Sequence, residues 1–120
     1  MARILTVDDS VAMRQMVEVT LTSAGHEVRQ AKDARQALEL AGSNTFDLVI
    51  ADVNMPEMDG LALVRELRGM PAYKHTPVLM LTTEASAERK NEGRQAGATG
   101  WLVKPFNPER LIETVARVLK

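Results

Sequence analysis

Four short apolar runs in this chain each end on polar residues. Ile4-Leu5-Thr6-Val7 runs into Asp8 and Asp9, Leu48-Val49-Ile50-Ala51 into Asp52, Val78-Leu79-Met80-Leu81 into Thr82, and Trp101-Leu102-Val103 into Lys104. Continuous runs of this length, separated by segments of helical period, read as strands of a parallel sheet covered on both faces; a strand wetted on one face would alternate instead. A parallel sheet places all its carboxyl ends at one edge, and open α/β sheets bind their ligands there. Three carboxylates, a hydroxyl and an ammonium, drawn from distant parts of the sequence, are therefore expected to meet at one edge. Such a set suits a divalent cation together with a phosphoryl group.

The segments between the runs carry helical spacing. Ser10 to Ala24 has Met13, Val17, Leu21 and Ala24 on one stripe, and Gly25 supplies a stop. His26 to Ala31 is a more polar strand, expected at a sheet edge. Asp33 can cap a helix through Leu40 with Ala34, Ala37, Leu38 and Ala41 facing inward, and Gly42-Ser43-Asn44 ends it. Asn54 to Gly60 is a loop, Leu61, Val64 and Leu67 mark a third helix that stops by Gly69, and Pro77 precedes the fourth strand. Ser86 to Ala96 reads as a polar fourth helix ending at Gly97, with Gly93 inside it at a cost of about 1 kcal/mol relative to Ala. Asn107 caps and Pro108 opens a last helix whose expected buried stripe is Leu111, Ile112, Val115, Val118 and Leu119. Strand and helix thus alternate five times, the pattern of a doubly wound α/β domain.

At 120 residues the chain has room for one core and one domain. Its 15 Lys+Arg against 16 Asp+Glu leave a net charge of −1, which gives no field to attract nucleic acid or an anionic membrane. Cysteine is absent, so disulfide and thiolate chemistry are excluded, in keeping with a reducing compartment. The start runs straight into a strand without a basic, then apolar, leader, and a cytoplasmic monomer is expected. His26 and His75 lack metal-ligand spacing and are expected to be solvated, while core filling is the default for the seven Met residues and for Trp101.

Val7-Asp8-Asp9-Ser10, Asp52-Val53-Asn54-Met55-Pro56-Glu57-Met58-Asp59-Gly60, Leu81-Thr82-Thr83-Glu84 and Val103-Lys104-Pro105-Phe106 together resemble the four motifs of response-regulator receiver domains, in the same order and over the whole chain. Within that family the chain is most similar to free-standing CheY-like chemotaxis regulators. The resemblance implies a flavodoxin-like five-stranded sheet of order 2-1-3-4-5 and a single receiver domain over residues 1–120 without an effector domain. It implies Mg²⁺ held by Asp9, Asp52 and the backbone carbonyl of Asn54, with Asp8 acting through a water, and phosphorylation of Asp52 by a sensor histidine kinase. Lys104 and Thr82 would then meet the phosphoryl oxygens. Trp101 falls at the family's aromatic switch position, commonly Tyr or Phe, and Thr83 stands where a smaller residue is usual. Asn54 and Glu84 fall at positions that tune dephosphorylation. The output surface would be the fourth helix, fifth strand and last helix, acting on a protein such as a flagellar motor switch component, with a phosphatase as a further partner. A phosphate sink or a single-domain regulator outside chemotaxis is the alternative.

Each residue also has a plainer explanation. Asp9 or Ser10 could simply cap the first helix, Asp52 could end a strand in solvent, Thr82 could serve β propensity, and Lys104 could be an exposed turn lysine. Their joint placement at one edge is what argues for a site. Two other functions have sequence requirements of their own. A phosphohydrolase with an aspartate nucleophile would, by resemblance to such enzymes, carry a general acid two residues on, where this chain has Asn54. A flavin or nucleotide module would need a glycine-rich turn after the first strand, where this chain has Asp8-Asp9-Ser10.

Overall fold

The computed structural model describes residues 1–55, 58–83 and 87–119, with the backbone alone at residues 87 and 89. Five strands alternate with five helices: β1 (Arg3–Val7), α1 (Val11–Ser23), β2 (Glu27–Ala31), α2 (Ala34–Ser43), β3 (Leu48–Asp52), α3 (Gly60–Arg68), β4 (Val78–Thr82), α4 (Ala87–Ala96), β5 (Gly100–Val103) and α5 (Pro108–Val118). All pairings are parallel, and the sheet order is β2-β1-β3-β4-β5. The reversal of winding lies between β1 and β3, the switch point at which such sheets bind ligands.

Every residue of β3 and β4 is buried, as central strands covered on both faces require. Strand periodicity sorts their side chains into two cores. Leu5, Val7, Val49, Ala51, Val78 and Met80 pack with Ala34 and Ala37 of α2, Leu61 and Val64 of α3 and Ala96 of α4. Ile4, Leu48, Ile50, Leu79 and Leu81 pack on the other face with Val17 and Leu21 of α1 and Leu111 and Val115 of α5. Edge strand β2 buries Ala31 alone.

Ser10, Asp33, Asp59 and Asn107 are the N-caps of α1, α2, α3 and α5, their side chains accepting from Met13 N, Gln36 N, Ala62 N and Arg110 N. At the other end of α1, Gly25 takes φ +94°, and the N–H groups of Gly25 and His26 donate to Thr22 O and Leu21 O at 3.0 Å each. That left-handed closure is why the helix stops there.

Several expectations need correction. Ile112 is 37 % exposed, so the buried stripe of α5 is narrower than the sequence pattern suggests. Ala24 is exposed, whereas Thr20 is buried in α1. Helix α2 continues beyond Leu40 to Ser43, because burial of Ala41 in the core outweighs the helix-weakening glycine at position 42. His26 lies outside β2 and is half-buried; its Nδ1 accepts from Ala2 N at 3.1 Å, and burial lowers its pKa. His75 is exposed, as expected. A 3-10 turn at Pro71–Tyr73, absent from the sequence reading, carries the buried Tyr73, whose hydroxyl reaches Ala41 O at 2.8 Å and Asn44 O at 2.6 Å. Among the described residues no helix is long and apolar enough to cross a membrane.

Candidate functional site

The carboxyl edge is tied together by backbone hydrogen bonds that continue past the strand ends. Asp8 N donates to Ala31 O at 3.1 Å, Val53 N to Leu81 O at 2.9 Å, and Lys104 N to Thr82 O at 2.7 Å. These bonds hold the residues that follow β1, β3 and β5 level with one another. Asp8, Asp9 and Asp52 each present a carboxylate oxygen within 4.8 Å of the others, with Asp8 and Asp52 buried and Asp9 exposed. Lys104 Nζ reaches across the edge to both buried acids, at 3.1 Å from Asp8 Oδ2 and 3.3 Å from Asp52 Oδ1. Its side chain is 15 % exposed, so it is no exposed turn lysine. The Lys104–Pro105 peptide is cis.

Ser10 settles the role of its neighbours. Its hydroxyl caps α1, which leaves the exposed Asp9 out of the cap, and its N–H donates to Asp8 Oδ1 at 2.9 Å. Asp52 is 6 % exposed, and its pKa is raised, first by burial and then by Asp8, against the opposing pull of Lys104 and of hydrogen bonds from Lys104 and the Asn54 backbone. One ammonium among three carboxylates leaves the cluster negative. Clustered carboxylate oxygens around excess negative charge are the donor set a hard cation such as Mg²⁺ requires. The residues present fit that ion.

Thr82 ends β4, buried and paired in register with Val103, while Thr83 beyond it is exposed. Asn54 is exposed, two residues past the end of β3. Glu84, Pro56, Glu57 and the expected helix start at Ser86 lie outside the described residues. Trp101 is half-buried and packs against the core on the face shared by Met80, α3 and α4.

Two residues that shape the edge escaped the sequence reading. Arg14 donates through Nη1 to the Asp8 carbonyl at 2.6 Å and through Nε to Gln30 Oε1 at 3.0 Å, pinning the backbone of the first acid. Its position four residues after the Ser10 cap, on the first turn of α1, is the signal that could have found it. Gly60 opens α3 directly beneath Asp52. A Cβ there would fall on the Asp52 carbonyl oxygen and lie 2.7 Å from Met80 Cε, so only glycine lets the helix approach the end of β3 this closely.

Known proteins share both the sequence and the geometry. The response regulator receiver domain pattern matches residues 4–116. The chain is 39 % identical over 119 residues to chemotaxis protein CheY-3 of Vibrio cholerae, covering 98 % of this chain and 92 % of that one. It is also 41 % identical over 102 residues to a gliding motility regulatory protein of Myxococcus xanthus, spanning 85 % of this chain and 13 % of that much longer protein. Among solved structures, chemotaxis protein CheY4 of Vibrio cholerae superposes with a TM-score of 0.96 at 57 % identity, covering 98 % of each chain. With the motifs, the sheet order and the acid cluster in agreement, the chain belongs to the response regulator receiver domain family.

Proposed function

We infer that this receiver domain is a phosphoryl-activated switch with Asp52 as its nucleophile. The observation that carries the inference is Lys104 Nζ lying within 3.3 Å of both buried acids, with Asp9 exposed beside them. Asp9, Asp52 and the Asn54 carbonyl would hold Mg²⁺, with Asp8 behind a water. When bound, that ion supplies positive charge that offsets both the carboxylate repulsion and the charge on the phosphoryl oxygens. An Asp52 carboxylate oxygen attacks the phosphorus of a phosphohistidine on a sensor kinase; the new O–P bond forms as the P–N bond breaks, and its electron pair leaves on the imidazole nitrogen. The Lys104 ammonium donates to one phosphoryl oxygen and the Thr82 hydroxyl to another, stabilising charge where it develops. Asn54 two residues past the nucleophile offers no acid for a poor leaving group, which favours transfer from phosphohistidine over hydrolysis of stable esters.

Output in this reading runs through a protein partner at the surface of α4, β5 and α5. A groove of about 350 Å³ lies there, lined by Lys90, Trp101, Val103, Phe106 and Arg110 among others. Relatives named for chemotaxis and gliding motility support a role in the control of movement. Asp52→Asn tests the assignment: it is expected to abolish Mg²⁺-dependent labelling by a small acyl phosphate or a phosphohistidine donor while circular dichroism shows the fold intact. Hydroxylamine-sensitive label persisting in that variant would assign the nucleophile elsewhere.

A further inference from the structure

Gly93 lies in the interior of α4, buried, in a helix of otherwise polar character. Glycine weakens a helix interior relative to alanine, so its presence there calls for a reason in the packing. The reason is the indole of Trp101. A Cβ at position 93 would fall on the indole Cζ2 and lie 2.9 Å from Cε2 and 3.1 Å from Nε1. The ring therefore rests directly on the helix backbone, with no room for even a methyl group between them. Trp101 pairs in register with Met80, whose Cε in turn packs at Gly60 under the Asp52 carbonyl. The indole also lines the groove, together with Lys90, Phe106 and Arg110.

We propose that Gly93 is the positioning residue for Trp101: its bare backbone seats the indole, fixes the shape of the groove on the α4, β5 and α5 surface, and obliges α4 and the ring to move together. The seat depends only on the packing of Trp101 against Gly93; its use as a relay rests on the phosphoryl-switch function proposed above. An indole seated on bare backbone cannot rotate away without losing its contact with α4, which couples the position of the ring to that of the helix. Residue size at position 93 thereby selects which aromatic side chain position 101 can hold.

A double-mutant cycle in chelator tests the seat without any phosphoryl chemistry. Gly93→Ala in the native background is expected to lower the melting temperature and to red-shift Trp101 emission as the displaced ring meets water. In a Trp101→Phe background, where Cζ2 is gone, Gly93→Ala is expected to raise the melting temperature, because the better helix former is no longer opposed. If Gly93→Ala alone does not fold, folding restored by the added Trp101→Phe is the same result. An equal effect of Gly93→Ala in both backgrounds, or unaltered Trp101 emission, would overturn the seat. The relay has its own readout. Mg²⁺ with beryllofluoride is expected to raise the melting temperature of wild type and Gly93→Ala alike, while the accompanying emission change is lost in the variant. An emission change retained in full would overturn the relay. No rise in wild-type melting temperature would refute the phosphoryl-switch function and leave the seat to stand on the cycle.

Discussion

Asp52 holds a proton more readily in the folded chain than in water, because burial disfavours its anion and Asp8 repels it, and Lys104 offsets only part of this. The folded state therefore binds that proton more tightly than the unfolded chain does. The resulting stability is fully present below the ordinary value of 3.8 and is lost as pH rises through the raised folded value. At neutral pH in chelator, Asp52→Asn keeps the shape, removes the charge, and is expected to unfold at higher denaturant than wild type. It should also gain less from Mg²⁺, since a ligand stabilises only the native state that binds it. Denaturant melts showing the variant weaker than wild type under chelator would contradict this. A second residue gives an independent check. Thr6 is fully buried, and among the described residues its hydroxyl is the one buried side-chain polar atom without a hydrogen-bond partner. Thr6→Val keeps the shape and removes the unpaired group, so a gain of about 1 kcal/mol is expected in denaturant melts. A loss of that size would show that the hydroxyl is bonded to a buried water.

At the scale of elements, the helix and strand types follow from periodicity, and the errors fall where periodicity carries least. The α5 stripe with Ile112 is a correct helical spacing, yet the sheet beneath covers only the Leu111 and Val115 side of it. Gly42 reads as a breaker in sequence, but the buried Ala41 rewards one more turn of α2. Among the site residues, Asp8, Asp52, Thr82 and Lys104 are legible because each interrupts an apolar run at a strand end. Arg14 and Gly60 are not, since one acts through a backbone carbonyl and the other through the absence of a side chain. The Trp101–Gly93 contact joins elements on opposite sides of a loop and has no local pattern at all. Thr82 and Trp101 lie on the same face of the sheet, on neighbouring strands. If Thr82 shifts toward a phosphoryl group on Asp52, space opens beside β5 into which the indole can move. Mg²⁺ with beryllofluoride is therefore expected to change Trp101 emission, and Thr82→Ala to weaken the change while phosphorylation persists. A flat signal, with binding of the mimic shown by a rise in melting temperature, would make Trp101 a static core residue.

For the whole molecule, two apolar layers on either side of the sheet fix the edge at which the polar strand ends meet. The acids therefore owe their proximity to core packing elsewhere, and their repulsion is tolerated because the burial of complete strands such as β3 and β4 outweighs it. The strand order itself was legible only through the family resemblance. Alternating strands and helices give a parallel sheet, but several orders satisfy the same pattern. In the proposed function, this packing makes Asp52, among three clustered acids, the one that takes a phosphoryl group. Borohydride reduces an acyl phosphate to an alcohol, so it leaves homoserine at the aspartate that carried the phosphoryl group. The protein should be incubated with a small acyl phosphate and Mg²⁺, reduced, digested and sequenced by mass spectrometry. Homoserine is expected at position 52 alone, and only when Mg²⁺ is present; homoserine at position 8 or 9, or at none of the three, would contradict the account.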